Sequence, residues 1–131
     1  MIRELPEQEC YELLTTTTVG RIGFVLDERI CIFPVNYAVS GRDLVVRTSQ
    51  EGVLSRLAEE GARVAFEVDH HDDLAGSGWS VLMDARLSGL GDGELPEASG
   101  RVSPWAGSER TTRLRLHVDG VSGRSVRRDP R

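Results

Sequence analysis

The sequence predicts a mainly β protein, an antiparallel barrel with short helices at its mouth or flank. Three observations carry that expectation. Several runs alternate apolar and polar residues and are joined by short turns. Only two short helical segments interrupt them. The regular strand–helix alternation of a doubly wound sheet is absent. At 131 residues the chain fits one domain, expected over 1–131 with a tail mobile beyond about residue 126.

Taken in order, "LPEQECYELL" starts a helix. Pro6 suits its first turn, and Glu7 and Glu9 favour its positive end. Thr15 to Thr18 are poor helix formers and end it. "VGRIGFVLD" alternates at Ile22, Phe24 and Leu26. "DERI" reads as a hairpin turn, and "ICIFPVNYAV" is apolar on both faces, as in a central strand. Pro34 cannot donate to a ladder, so it marks a bulge or an unpaired position. A turn at "SGRD" leads into a strand over 44–48. "GVLSRLAEEG" is a short amphipathic helix stopped by Gly61, and "ARVAFEVD" is a strand. "HHDDLAGSG" reads as a loop, "WSVLMDARLSGL" as a long strand and residues 91–110 as loop. "RLRLHVDGV" is a strand with Arg113, Arg115 and His117 facing out.

Composition excludes several functions. The net charge is −5, which gives no electrostatic footprint for nucleic acid. All sixteen basic residues are arginine, so no lysine is present to form a Schiff base or fill a phosphate loop. Arginine can still grip phosphate bidentately. Cys10 and Cys31 lack any CxxC spacing and read as thiols in a reducing compartment. The charged opening shows no signal pattern. The longest charge-free run, 30–41, is too short to span a bilayer, so a cytoplasmic protein is expected. His70 and His71, followed by Asp72 and Asp73, invite a metal reading. No third ligand cluster supports it, and no metal is expected. No GxSxG elbow marks a nucleophile, so the catalytic residues stay unknown.

The stretch "LVVRTSQEG" carries the sharpest chemical hint. Arg47 ends a strand with Thr48 and Ser49 behind it, and a glycine opens the next helix. The arrangement suits an anion, with helix amides at residues 52–54 adding to the site. The alternative is an edge-strand arginine paired with an acid. Asn36 and Tyr37 are read equally as strand packing, and Trp79 as a core or interface anchor.

The ordered set "VGRIGFV", "FPVNYAV", "LVVRTSQEG", "VAFEVD", "GWSV", "PWAG" and "SGR" resembles the pyridoxamine 5′-phosphate oxidase-like family over roughly residues 8 to 126. That resemblance implies a six-stranded FMN-binding split β-barrel that dimerises, with flavin in clefts at the dimer interface. By the same resemblance Arg47 meets the flavin phosphate, beside Thr48 and Ser49. Pro34, Val35, Asn36 and Tyr37 run along the ring system. The second subunit contributes Trp79, Trp105 and Arg124. Relatives carry a phosphate-contacting lysine at the start of the following helix. Val53 or Leu54 stands there instead, with Arg56 one turn further on. The implied function is a flavin-dependent oxidoreductase acting on an unidentified small molecule. The alternatives are a non-catalytic flavin or deazaflavin carrier or sensor, or a cofactor-free barrel that binds a partner.

Overall fold

Alternation of apolar and polar residues puts one face of each strand in a common interior, and the computed structural model closes those strands into a ring. The structure describes residues 1–48, 52–90 and 112–128. The strands are β1 (Ile2–Glu4), β2 (Val19–Leu26), β3 (Arg29–Ser40), β4 (Asp43–Thr48), β5 (Arg63–Asp72), β6 (Ser77–Gly89) and β7 (Thr112–Arg127). The helices are α1 (Glu7–Leu14) and α2 (Val53–Glu59).

Around the ring the order is β7-β4-β3-β2-β5-β6, and β6 pairs back onto β7, every contact antiparallel. This is the six-stranded antiparallel ring the sequence predicts. The seventh strand, β1, pairs with the far end of β7 at residues 124–126, beyond the segment of β7 that pairs with β4. β7 is also longer than its apolar pattern suggests. The polar "SGRSVR" that reads as a tail continues the ladder with β6 to Arg127. Likewise "HHDD" is no loop: β5 and β6 stay paired from His70↔Trp79 to Asp72↔Ser77.

The β2–β3 hairpin turns on Asp27 and Glu28, both at positive φ, with Leu26 paired to Arg29. Two consecutive left-handed residues are what a two-residue turn matching strand twist requires. The β2–β3 register runs unbroken through Arg21↔Pro34, so Pro34 marks no bulge. It lies just past the end of the β3–β4 ladder at Asn36↔Arg47, where β3 has no β4 residue to bond.

The barrel interior holds Ile22, Val35, Tyr37, Phe66, Met83 and Leu116 among others, all nearly inaccessible. Tyr37 packs edge-on to Phe66 at 5.3 Å between ring centres. Its hydroxyl donates to the Leu14 carbonyl at 2.6 Å and lies 3.0 Å from the Thr17 hydroxyl. Two glycines permit close packing. A Cβ on Gly20 would sit 2.4 Å from Cζ of Phe66, and one on Gly123 would sit 2.6 Å from Sγ of Cys10. Gly123 thereby lets α1 lie directly on β7, with Cys10 and Leu14 buried beneath it. α2 plugs its end of the barrel with Leu54, Leu57 and Ala58.

Candidate functional site

Register places three of the sequence-predicted polar groups in one transverse row. Asn36 on β3 faces Arg47 on β4, and Arg47 faces Arg113 on β7. Directly opposed residues share a sheet face, and that face is the outer one. Their strand neighbours Tyr37, Val46 and Leu114 belong to the core.

Asn36 is 3% exposed. Its Nδ2 donates to the Thr18 carbonyl at 3.3 Å, while its buried Oδ1 has no hydrogen-bond partner among the described residues. An orphaned buried acceptor costs about 1–3 kcal/mol. An N–H or O–H supplied by a ligand would relieve it. Arg47 beside it is only partly exposed and its Nε is buried. α2 begins at Val53, preceded by Gly52, whose φ of 95° suits glycine. Arg56 N donates to the Gly52 carbonyl, which leaves the amides of the first turn without intrahelical acceptors.

The other expected contacts divide by strand face. Pro34 is exposed on the outer face. Val35, Tyr37, Thr48 and Leu54 are buried, with Val35, Tyr37 and Leu54 in the core cluster. These can reach an outer-face ligand only through their backbone. Val53 is partly buried against the core. Ser49 lies outside the described residues, as does Trp105.

Trp79 and Arg124 sit near one another at the far end of β6 and β7 but on opposite faces: Trp79 pairs with Ser125 and packs partly against the core, while Arg124 is exposed. Ser80 pairs with Arg124, and Trp79 lies 6.4 Å from the His70 ring. A surface depression of about 370 Å³ is lined there by His70, His71, Trp79, Ser80 and Arg124. Arg124 stands eleven residues beyond Arg113 on β7, about 36 Å along the strand. Within one chain, then, the Arg47 row lies at one end of β7, and Arg124, with Trp79 on the neighbouring β6, at the other. His70 and His71 are consecutive strand residues and point to opposite faces. Among the described residues no group of three or more His, Cys, Asp and Glu is placed to hold a metal.

The outer face also carries charge and grease. Arg21 Nη2 donates to Glu67 at 2.9 Å and to Asp69 at 2.8 Å. Burial pushes the Glu67 carboxyl up, with help from Asp69, against the pull of Arg21. Asp69 is held down by its hydrogen bonds with Glu67 and Arg21. Next to this triad lies an apolar strip: Val25, Ile30 and Ile32 are 64%, 84% and 64% exposed. Val25 pairs with Ile30 across the β2–β3 hairpin. Arg113 joins the Asn36–Arg47 row although the sequence left it unassigned. Its outward direction was legible, but its position opposite Arg47 depends on a pairing between strands over sixty residues apart.

A closed ring of six antiparallel strands with two short flanking helices and an arginine-bearing outer row is a split β-barrel. The family model for pyridoxamine 5′-phosphate oxidase matches residues 6–125, and the chain belongs to that family. An uncharacterised protein of Mycobacterium tuberculosis, Rv0080, is 28% identical, covering 98% of this chain and 88% of its own. Among solved structures, the FAD-binding protein from Mycobacterium smegmatis is similar at a TM-score of 0.78 and 29% identity. That match covers 95% of this chain and all of that one. An FAD-binding protein from Mesorhizobium loti shares the fold at a TM-score of 0.73 and 24% identity, over 95% and 96% of the two chains.

Proposed function

We propose that the chain is a flavin-binding member of its family, an oxidoreductase that holds FMN with the phosphate at Arg47. The observation that carries this reading is the Asn36–Arg47 pair. It sets a buried, unsatisfied acceptor beside a half-buried guanidinium on the outer face. Arginine matches phosphate as a fork of donors, and Asn36 would accept a hydrogen bond from the ligand. Bound flavin would supply hydride chemistry to a small substrate, while the protein supplies position and an apolar wall. The FAD-binding relative from M. smegmatis makes FAD the first competitor for the same row.

The site is read as shared between two copies of the chain. Trp79 and Arg124 lie at the far end of β7 from Arg47, so a second copy would be needed to bring them to the same ligand. The strip of Val25, Ile30 and Ile32 gives that second copy an apolar surface to cover. No helix among the described residues is long and apolar enough to cross a membrane. Two free thiols fit the reducing cytoplasm proposed as its location.

A second reading, a carrier or a cofactor-free partner-binding barrel, is favoured by the half-buried valine and buried leucine at the start of α2, where the family resemblance implies a lysine. Titration with FMN, FAD and a deazaflavin coenzyme, followed by flavin fluorescence, decides between them. The expected result is FMN binding that Arg47→Ala weakens at least about tenfold without loss of fold. Binding of none of the three would leave the cofactor-free reading.

A further inference from the structure

Asn36 holds its side-chain amide in one orientation. Its Nδ2 donates to the Thr18 carbonyl at 3.3 Å, and the Tyr37 amide donates to the same carbonyl at 2.9 Å. A carbonyl oxygen only accepts, so the reversed amide would set two acceptors against each other. Oδ1 is therefore turned away from Thr18 as an acceptor. The residue is 3% exposed, and Oδ1 has no hydrogen-bond partner among the described residues. A phosphate does not satisfy it, because the oxygens of an ionised phosphate are acceptors too. What Oδ1 lacks is an O–H or N–H. It lacks it one strand away from Arg47, with the two Cβ atoms about 5 Å apart.

We infer that Asn36 accepts a hydrogen bond from the ribityl hydroxyl nearest the flavin phosphate, the 4′-hydroxyl. This deepens the flavin reading and rests on it. With the phosphate at Arg47, the donor that meets Asn36 has to lie about one strand spacing, about 5 Å, from it. The 4′-hydroxyl qualifies, because only two carbons separate its oxygen from the ester oxygen of the phosphate. The N3–H of the ring does not, because the ribityl chain and most of the isoalloxazine lie between it and the phosphate. FMN and FAD carry the same ribityl chain, so the assignment holds for either nucleotide. Asn36 and Arg47 then read separate parts of one ligand, Arg47 by charge and Asn36 by a neutral hydrogen bond.

The test measures binding of FMN, 4′-deoxy-FMN and 2′-deoxy-FMN by flavin fluorescence on wild type, Asn36→Leu and Arg47→Gln. Wild type should bind 4′-deoxy-FMN about tenfold more weakly than FMN, and 2′-deoxy-FMN within about twofold of it. Asn36→Leu should bind FMN about tenfold more weakly than wild type does, no longer distinguish it from 4′-deoxy-FMN, and keep the wild-type salt dependence. Arg47→Gln should weaken all three ligands alike, keep the preference for the 4′-hydroxyl and flatten the salt dependence. Should Asn36→Leu not fold, Asn36→Ala makes the same comparison, and the wild-type preference needs no variant. If wild type binds 4′-deoxy-FMN as tightly as FMN, or loses affinity for 2′-deoxy-FMN instead, Asn36 meets another group and the inference falls while the flavin reading stands. The same holds if the Asn36 variant weakens FMN and 4′-deoxy-FMN by equal factors. If wild type binds no FMN, both fall together.

Discussion

Glu67 shows how single residues of the outer face respond to their surroundings. A carboxyl whose folded pKa lies above its unfolded value of 4.5 is penalised while it is ionised. The penalty is complete at neutral pH and disappears as pH falls through the raised folded value towards 4.5. Glu67→Gln mimics the protonated form and keeps the contact with Asp69. The variant is expected to melt above wild type at neutral pH, with the gap closing below 4.5. A gap independent of pH, read by calorimetry across that range, would show that Glu67 titrates normally. At this scale the sequence revealed residue types better than their facing. Arg47 stands out because an arginine at a strand end is chemically conspicuous. Tyr37 looked like a ligand contact because the motif is read as a block. Alternation instead sends it inward to Phe66 and the Leu14 carbonyl while Asn36 goes outward. The place of Arg113 depends on which residue lies opposite, and that is a property of the pairing.

The elements follow the same logic. β2, the N-terminal half of β5 and the start of β7 were legible because one face of each is buried, so apolar residues recur every second position. β1, the end of β5 and the end of β7 were not, because both of their faces are largely wet and no period survives. Their pairing is fixed by the ladder to a neighbour that is already in place. Gly123 illustrates this: in the sequence it is part of a polar tail, and in the fold it is the only kind of residue that lets Cys10 touch β7. Gly123→Ala would push its methyl into the Cys10 sulfur and lift α1, at a cost of about 1–3 kcal/mol. Urea denaturation should show a lowered midpoint with an unchanged slope. Equal stability would mean that α1 can shift freely on the barrel.

At the scale of the whole molecule, the proposed shared site makes a prediction about stoichiometry. One end of β7 carries the Arg47–Arg113 row and the other carries Arg124 beside Trp79 of β6, so on the proposed reading a complete flavin site would draw on the two ends of different chains. The exposed strip on the β2–β3 hairpin is the proposed adhesive surface, and an interface of about 2,000 Å² or more is expected. Replacing Ile30 and Ile32 together by Asp places two charges at its centre, outside the barrel core, and should separate the chains without unfolding them. The most direct measurement is sedimentation of the FMN-saturated protein, followed at the flavin absorbance near roughly 450 nm. Flavin should travel with a species of twice the 14.4 kDa chain mass in wild type, and it should sediment free of protein in the folded, monomeric Ile30→Asp, Ile32→Asp variant. Flavin travelling with a wild-type monomer would contradict a site built from two chains.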